Sequence, residues 1–269
     1  MNKAQIGIFG GSGFYDFLKN AKEIEMDTPY GKPSGKIVLG EYKGKKIAFM
    51  PRHGEGHKYP PHKIPYRANM WAFKELGVKF VLGPCASGSL RPEIEPGDFV
   101  ICDQFIDRTK GRNDTYYEGP KVAHVEAANP YCANLGEIAA EEAQKLGIKA
   151  HQGGTVVVIE GPRFSTKAES KWFSSAGFDV INMTQYPECY FAKDLGMCYS
   201  AVASVTDYDV GVVSSTSMRP GSMDQVLKIF HRNTALTREL LARFVSNVTT
   251  LTACECARER LDEYYKASK

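Results

Sequence analysis

The sequence lacks the features that mark several large classes of protein. None of its 269 residues belongs to an apolar run long enough to cross a bilayer. Its net charge is only +3, so no excess of one sign favours nucleic acid or an anionic membrane as the main partner. The N-terminal residues lead directly into an apolar segment and do not have the layout of a signal peptide. These absences predict a cytoplasmic protein whose main partner is neither nucleic acid nor a membrane.

The cysteines do not indicate a disulfide framework. There are seven, an odd number, and most lie in apolar stretches, which favours buried free thiols. Cys254 and Cys256 are the exception, because their close spacing suits a redox or stapling pair as well as an ordinary exposed pair. No repeat, low-complexity tract or Pro/Ser-rich linker divides the chain. We therefore predict one domain over residues 1–269, with a C-terminal tail from about residue 252.

Apolar segments rich in Val and Ile alternate with helical patterns along the chain. Continuous apolar runs of this kind are typical of strands that are covered on both faces. Strands are predicted at residues 6–9, 36–40, 47–50, 79–83, 99–102, 155–159, 178–181 and 198–205. Helices are predicted at residues 66–76, 129–146, 166–175 and 222–251. The pattern predicts an α/β fold, with a mixed central β-sheet flanked by helices.

Three segments that follow predicted strands have the composition of an oxyanion site. Gly-Gly-Ser-Gly at 10–13 offers backbone N–H groups and the Ser12 hydroxyl, although a plain strand-to-helix turn fits equally well. It has neither the third glycine of a dinucleotide fingerprint nor the Lys-Ser/Thr ending of a P-loop. Arg52 offers a planar donor fork and His53 a further donor, the alternative being a surface turn. The third segment, 83–90, is a small and polar loop after a strand.

Two other functions of these segments are less well supported by the residues. A metal site would use His53, His57 and His62, but Pro60 and Pro61 interrupt the spacing and no nearby carboxylate pattern completes it. A serine nucleophile in 83–90 would need a Gly-x-Ser-x-Gly elbow or a His/Asp partner pair, and neither is indicated. We therefore predict an anion site and no metal.

Other segments have the chemistry of a base and sugar site. Asp207 and Asp209 follow a strand at i and i+2, so on an extended chain their carboxylates point the same way and suit an amine and a ring nitrogen. A solvated acidic turn or a calcium loop is the alternative. Phe164 can stack on a flat ring, or pack as a core or edge aromatic. Met183 and Thr184 suit a sugar and a phosphate, the alternative being a helix that starts at Pro187.

Together these strings resemble the 5′-methylthioadenosine phosphorylases of the trimeric purine nucleoside phosphorylase family. The resemblance extends from about residue 6 to residue 251. It is carried by Gly-Gly-Ser-Gly at 10–13, Pro-Arg-His-Gly at 51–54, Tyr-Arg-Ala-Asn at 66–69, Gly-Ser-Leu-Arg at 88–91, Asp-Gln-Phe-Ile-Asp at 103–107, Glu-Gly-Pro-Arg-Phe-Ser at 160–165, Asn-Met-Thr at 182–184 and Thr-Asp-Tyr-Asp at 206–209.

The resemblance implies a role for each of these segments. Phosphate would be held by Ser12, Arg52, His53, Cys85, Ala86 and Thr184. The nucleoside would contact His57, Phe164, Met183, Asp207 and Asp209. Specificity would depend on Ser165, Met223, Val226 and Leu227, and on His124 acting from a neighbouring subunit. It also implies a homotrimer or a dimer of trimers that uses inorganic phosphate as co-substrate, with no metal and no organic cofactor.

The implied reaction is phosphorolysis of 5′-methylthioadenosine to adenine and 5-methylthioribose 1-phosphate, a step of purine and methionine salvage. Asp207, as a carboxylic acid of raised pKa, would donate to the purine N7 as the bond to the sugar breaks. An Asp suits the amine of adenine, whereas relatives that prefer 6-oxopurines carry an Asn at this position. Met223, Val226 and Leu227 match the apolar pocket for the methylthio group.

Three residues depart from the pattern of the family. Cys85 stands where a Ser or Thr hydroxyl is expected, and a thiol is a weaker donor. Gln185 and Tyr186 are bulkier and more polar than expected after Met183 and Thr184. The alternatives are a phosphorylase of 6-oxopurine or broad purine specificity and, as a different class, a non-catalytic purine-binding protein.

Overall fold

A mixed β-sheet runs through the middle of the molecule. The computed structural model describes residues 3–10, 18–120, 124–212, 223–248 and 256. Within these ranges the sheet has eleven strands. They are β1 (Ile6–Phe9), β2 (Lys19–Ile24), β3 (Ile37–Tyr42), β4 (Lys45–Met50), β5 (Phe80–Ser89), β6 (Phe99–Cys102), β7 (Gln104–Arg108), β8 (Ala150–Gln152), β9 (Thr155–Ile159), β10 (Val180–Asn182) and β11 (Cys198–Tyr208). The α/β class with a mixed central sheet is confirmed.

Five α-helices flank the sheet in the described part of the chain. They are α1 (Tyr66–Glu75), α2 (Ala133–Lys145), α3 (Lys167–Ser175), α4 (Gln185–Asp194) and α5 (Met223–Asn247). Two short 3₁₀ turns, Glu55–His57 and Pro61–Lys63, lie between β4 and α1. Among the described residues no helix combines the length and the apolarity needed to cross a membrane.

The strand order is β2-β3-β4-β1-β5-β10-β9-β7, and β11 lies along the other edge of β5 and joins it to β6 and β8. Strands β1, β4, β5 and β11 are parallel in this arrangement. Their carboxyl ends therefore meet at one edge of the sheet, which is where ligands of α/β folds bind. Strands β3 and β4 form an antiparallel hairpin.

The core lies on both faces of the sheet because alternate side chains of each strand point to opposite sides. On β1, Phe9 packs with one apolar cluster, whereas Ile6 and Ile8 pack with the other. Helices α1 and α4 cover the first cluster, and α2 and α5 cover the second. Burial on both faces explains why these strands have continuous apolar sequences.

Several predicted boundaries are wrong for identifiable reasons. The strand predicted at 79–83 continues to Ser89 through the supposed glycine-serine loop, because β11 pairs with β5 along that stretch. Likewise β11 extends to Tyr208. The helix predicted from 129 begins at Ala133. On α5 the residues Leu240, Leu241 and Phe244 are buried, whereas Phe230 is 43% exposed.

Candidate active site

The long strand β5 changes partners halfway along one edge. Its first residues, up to Leu82, pair with β1, and its last two, Gly88 and Ser89, pair antiparallel with β10. Between these pairings, the stretch that contains Cys85 and Ala86 has no neighbouring strand on that edge among the described residues. Backbone groups at such a gap are available to a ligand. Both residues are accessible here, Cys85 half-buried and Ala86 exposed, and both belong to the predicted phosphate site.

Arg52 reaches this gap from the end of β4 and forms a buried ion pair. Its Nε and Nη2 donate to the two Glu188 carboxylate oxygens at 2.7 and 2.8 Å, and its Nη1 donates to the Pro84 carbonyl at 2.9 Å. Burial opposes the charge of Arg52, but the charge and hydrogen bonds of Glu188 outweigh it and hold the guanidinium pKa above its ordinary value. The guanidinium is therefore a permanent and oriented cation beside the β5 gap.

The sequence did not reveal Glu188 as the partner of Arg52. Glu188 lies in the first turn of α4. The Tyr199 hydroxyl also donates to Glu188, at 2.7 Å. Gly83 leaves room for the cluster of Arg52, Glu188 and Tyr199. A Cβ at position 83 would overlap Tyr199 Oη and lie 2.9 Å from Glu188 Oε2. The absence of a side chain at Gly83 is the only local signal for this cluster in the sequence.

His53 follows Arg52 and has a defined tautomer. Its Nδ1 lies 2.9 Å from the Tyr59 carbonyl, which can only accept, so Nδ1 carries the proton. Burial lowers the pKa of His53 to about 4, an effect that the hydrogen bond to Tyr59 opposes and the charge of Arg52 reinforces. The ring is neutral near pH 7, and Nε2 is left as an acceptor. The sequence predicted a donor; an acceptor suits the hydroxyl of a protonated phosphate or of a sugar.

His57 stacks on His53, with ring centroids 4.1 Å apart and planes 10° apart. It is exposed and has a positive φ of 59° at the end of a 3₁₀ turn. His57 therefore lies at the surface beside the Arg52 site, where a substrate contact is sterically open.

Thr184 comes close to the gap from another direction. It is buried and precedes α4, and its side chain makes no capping hydrogen bond to that helix. Asn182 Oδ1 accepts from the backbone N–H groups of Thr184 and Gln185, at 3.3 and 3.4 Å. Asn182 Nδ2 in turn donates to Cys85 Sγ at 3.3 Å. These bonds link Thr184 to Cys85 of β5 through the Asn182 side chain.

Asp207, near the end of β11, and Asp209, just after it, have different surroundings. Asp209 is buried, and both its carboxylate oxygens lie within 2.7 Å of the Ser165 hydroxyl. Asp207 is half-buried and accepts from the Thr206 hydroxyl at 2.6 Å. Burial raises the pKa of Asp207, and the charge of Asp209 raises it further against the effect of Thr206. An acid of raised pKa can donate a proton to a base.

Met183 and the segment after β9 form a third part of the site. Gly161 has a φ of +65°, and a Cβ there would lie 2.5 Å from Met183 Sδ. Phe164, in the same segment, is 76% exposed, so its ring is accessible to a flat ligand. Ser165, by its bond to Asp209, ties this segment to β11.

Arg112 holds these parts together, although no sequence pattern selects it. Its side chain is only 4% exposed and pairs with Glu160. Its nitrogens donate to the backbone carbonyls of Met183 at 3.0 Å, Tyr186 at 2.7 Å and Glu160 at 2.7 Å. One guanidinium thus fixes the segments that carry Met183, the start of α4 and the end of β9. Only the spatial arrangement shows this role, because the partners lie 48 to 74 residues away in sequence.

The predicted specificity residues are only partly described. Ser12 lies outside the described residues, and nothing is described of the Met223 and Val226 side chains on α5. Leu227, on the first turns of α5, is 46% exposed. His124 is also exposed. The placement of these residues leaves their predicted roles untested.

Three cysteines form a cluster far from this site. The sulfur atoms of Cys132, Cys198 and Cys256 lie within 4.8 Å of one another, the one group in the described ranges whose geometry suits a metal ion. Cys198 begins β11 and Asp207 lies near its end, about 30 Å along the strand. As predicted, most of the described cysteines are buried, four of six. Cys254 lies outside the described residues, so its pairing with Cys256 stays a prediction.

The comparison with known families agrees with this geometry. Residues 5–246 match the model of the phosphorylase superfamily. The S-methyl-5′-thioadenosine phosphorylase of Thermofilum pendens is 49% identical over 98% of this chain and 99% of that protein. The chain belongs to the S-methyl-5′-thioadenosine phosphorylase family. The predicted resemblance is thereby confirmed at the level of the family.

Other members of the superfamily differ in the substrate that their names state. The purine nucleoside phosphorylase of Streptomyces coelicolor is 46% identical over 89% of this chain and 87% of that protein. A methylthioadenosine phosphorylase from an antarctic soil metagenomic library superposes with a TM-score of 0.91 at 36% identity, covering 97% of this chain and 92% of that chain. A variant of the adenosine/methylthioadenosine phosphorylase of Schistosoma mansoni, solved with methylthioadenosine, has a TM-score of 0.84 at 35% identity, covering 98% and 96% of the two chains. Family membership therefore leaves purine selectivity to be argued from the site.

Proposed function

We propose that this protein splits S-methyl-5′-thioadenosine with inorganic phosphate into adenine and 5-methylthioribose 1-phosphate. The observation that carries the proposal is the placement of two chemically distinct groups on adjacent parallel strands. A buried cation and an open backbone edge lie at β5, and an acid of raised pKa lies on β11. The first suits a phosphate and the second a purine. The family of the chain supports the same substrate.

At the β5 end, phosphate binds beside Arg52 and the backbone of Cys85 and Ala86. The guanidinium stays charged, and its remaining N–H groups and the open strand edge supply donors to phosphate oxygens. A phosphate oxygen attacks C1′ while the C1′–N9 bond breaks. The negative phosphate stabilises the cationic sugar that develops between these two events.

At the β11 end, Asp207 gives its proton to the purine N7 as the electron pair of the broken bond enters the ring. The second oxygen of Asp207 and the carboxylate of Asp209, which is held by Ser165, accept from the exocyclic amine. A carboxylate is better matched to that amine than to the 6-oxo group of inosine, which would leave buried acceptors facing each other. No oxidation state changes, so the proposed reaction requires no redox cofactor.

The test compares release of base from S-methyl-5′-thioadenosine, adenosine and inosine, each with and without phosphate. We expect phosphate-dependent release, with kcat/KM for S-methyl-5′-thioadenosine about five- to 150-fold above that for inosine, because a mismatched buried polar group costs about 1–3 kcal/mol. The Streptomyces relative, a purine nucleoside phosphorylase, makes a phosphorylase of other purine preference the second candidate, and a preference for inosine would identify it as one for 6-oxopurines. Binding without turnover would instead indicate a non-catalytic purine-binding protein.

The proposal also includes a cytoplasmic homotrimer or dimer of trimers whose sites lie at subunit interfaces. Phe164, Leu227 and Phe230 leave large apolar side chains exposed in the single chain, which supports a covered surface. His124 is exposed and free to act on a neighbouring subunit's nucleoside. Sedimentation should show three or six chains per particle, and His124→Ala should lower activity without dissociating them. A fully active monomer would contradict this part of the proposal.

A further inference from the structure

Gln185 lies directly behind the predicted phosphate contact at Cys85. It is fully buried as the first residue of α4. Its Oε1 accepts from the Tyr131 hydroxyl at 2.6 Å, which orients the amide. Its Nε2 then faces two sulfur atoms, Cys85 Sγ at 3.2 Å and Cys102 Sγ at 3.4 Å. Gln185 therefore lies in the interior rather than lining a sugar pocket. It contacts Cys85, which also departs from the family pattern.

The Cys85 sulfur receives two N–H donors. One is Gln185 Nε2 and the other is Asn182 Nδ2 at 3.3 Å. Burial raises the pKa of the Cys85 thiol despite the nearby charge of Arg52, so the thiol keeps its proton at neutral pH. With its lone pairs facing the two amides, the sulfur has one donor left, the S–H. The protein acceptors within reach of it are distant: Ser87 Oγ at 3.8 Å and the Val202 carbonyl at 3.9 Å.

We propose that Gln185 is a positioning residue for phosphate, because its amide fixes the Cys85 sulfur so that the thiol donates to a phosphate oxygen. The inference rests on the proposed function, since it places phosphate at the β5 gap. It explains how a weak thiol donor serves at this position: the sulfur accepts two hydrogen bonds, which orients its single proton. Cys85 and Gln185, two of the three residues that depart from the family pattern, then act as one unit.

The test is a double-mutant cycle between positions 185 and 85. Gln185→Met keeps the length of the side chain and removes both N–H donors. We expect it to raise the KM for phosphate about three- to tenfold, the value of one lost hydrogen bond, while KM for the nucleoside stays within twofold. In a Cys85→Ala background the same substitution should change the phosphate KM by less than twofold. An equal rise in both backgrounds, or no rise in the single variant, would overturn the inference.

Cys102→Ala is the matched control, because it removes the other sulfur that the Gln185 amide contacts and leaves the bond to Cys85. We expect a phosphate KM within twofold of that of the unmodified protein. A rise as large as that of Gln185→Met would show a general packing effect and contradict the proposed role.

A second variant covers the case in which Gln185→Met does not fold. Gln185→Glu keeps the shape and the acceptor for Tyr131 but loses both donors. Its charge alone would repel phosphate in either background, so the inference requires a rise in the phosphate KM that is at least about threefold larger when Cys85 is present than in the Cys85→Ala background. An equal rise in both backgrounds would overturn it. If the unmodified protein releases no base, the proposed function fails; calorimetric titration of inorganic phosphate into the same variants then decides the inference separately.

Discussion

Asp207→Asn should lower kcat/KM for S-methyl-5′-thioadenosine by about 100- to 10,000-fold, the usual contribution of a general acid. The amide cannot give a proton to N7, and it presents a donor to the exocyclic amine of adenine. For inosine the same amide can donate to the 6-oxo group, so the fall should be smaller and the selectivity should move toward the 6-oxopurine. Steady-state assays with both nucleosides measure the effect.

The pH dependence of the same reaction gives an independent check. The acid must be protonated in the free enzyme, so kcat/KM should fall as the pH rises through the raised pKa of Asp207. Asp207→Asn should remove that limb of the profile. The control is Asp27→Asn, a change of the same type at an exposed position, which should alter neither activity nor profile. An Asp207→Asn enzyme with unchanged selectivity would exclude the base-reading role.

Glu188→Gln should destabilise the protein by about 3–5 kcal/mol, because it leaves the buried Arg52 charge without its partner. The large effect follows from burial, since the Arg52 and Glu188 side chains are 7% and 1% exposed. Denaturant unfolding measures the change. Replacing both residues by methionine should recover most of the stability, because no unpaired charge remains, but phosphate-dependent activity should stay lost without the cation.

Arg67 and Glu118 provide the matched comparison for that pair. They also form two hydrogen bonds, at 2.8 and 3.0 Å, but the Glu118 side chain is 60% exposed. Glu118→Gln should change the unfolding free energy by no more than about 1 kcal/mol. If Glu188→Gln were as mild as Glu118→Gln, the buried pair would not be the support of the site that its geometry indicates.

The sequence predicted the parts of the fold that depend on local patterns. The buried strands at 6–9 and 99–102 were placed correctly because both faces are covered and their residues are uniformly apolar. Strand β2 was not predicted, because its residues Lys19–Ile24 are mainly exposed and polar, and only its pairing with β3 makes it a strand. The second half of β5 was missed because glycine, proline and serine have low strand propensity.

The residues of the candidate site were likewise only partly predictable from the sequence. Arg52, Thr184, Asp207 and Asp209 could be selected because each follows or ends a recognisable strand. Their partners could not, since Glu188 is 136 residues from Arg52 and Gln185 is 100 residues from Cys85. Such contacts depend on which strands become neighbours, and a single sequence contains no direct signal for that.

The pairing of β5 with β11 has a consequence for how this site can change. Cys85 and Ala86 pair with Ala203 and Ser204, and Gly88 pairs with Asp207 after a one-residue bulge. The spacing between the anion end and the base end is therefore set by backbone hydrogen bonds inside one sheet, and loop closure does not alter it. A new purine preference can arise by exchanging side chains at the end of β11 without disturbing the anion end. A substrate with a different distance between C1′ and the base edge that faces Asp207 would require a shift of strand register. A shift by one residue would turn every core residue of β11 to the wrong face.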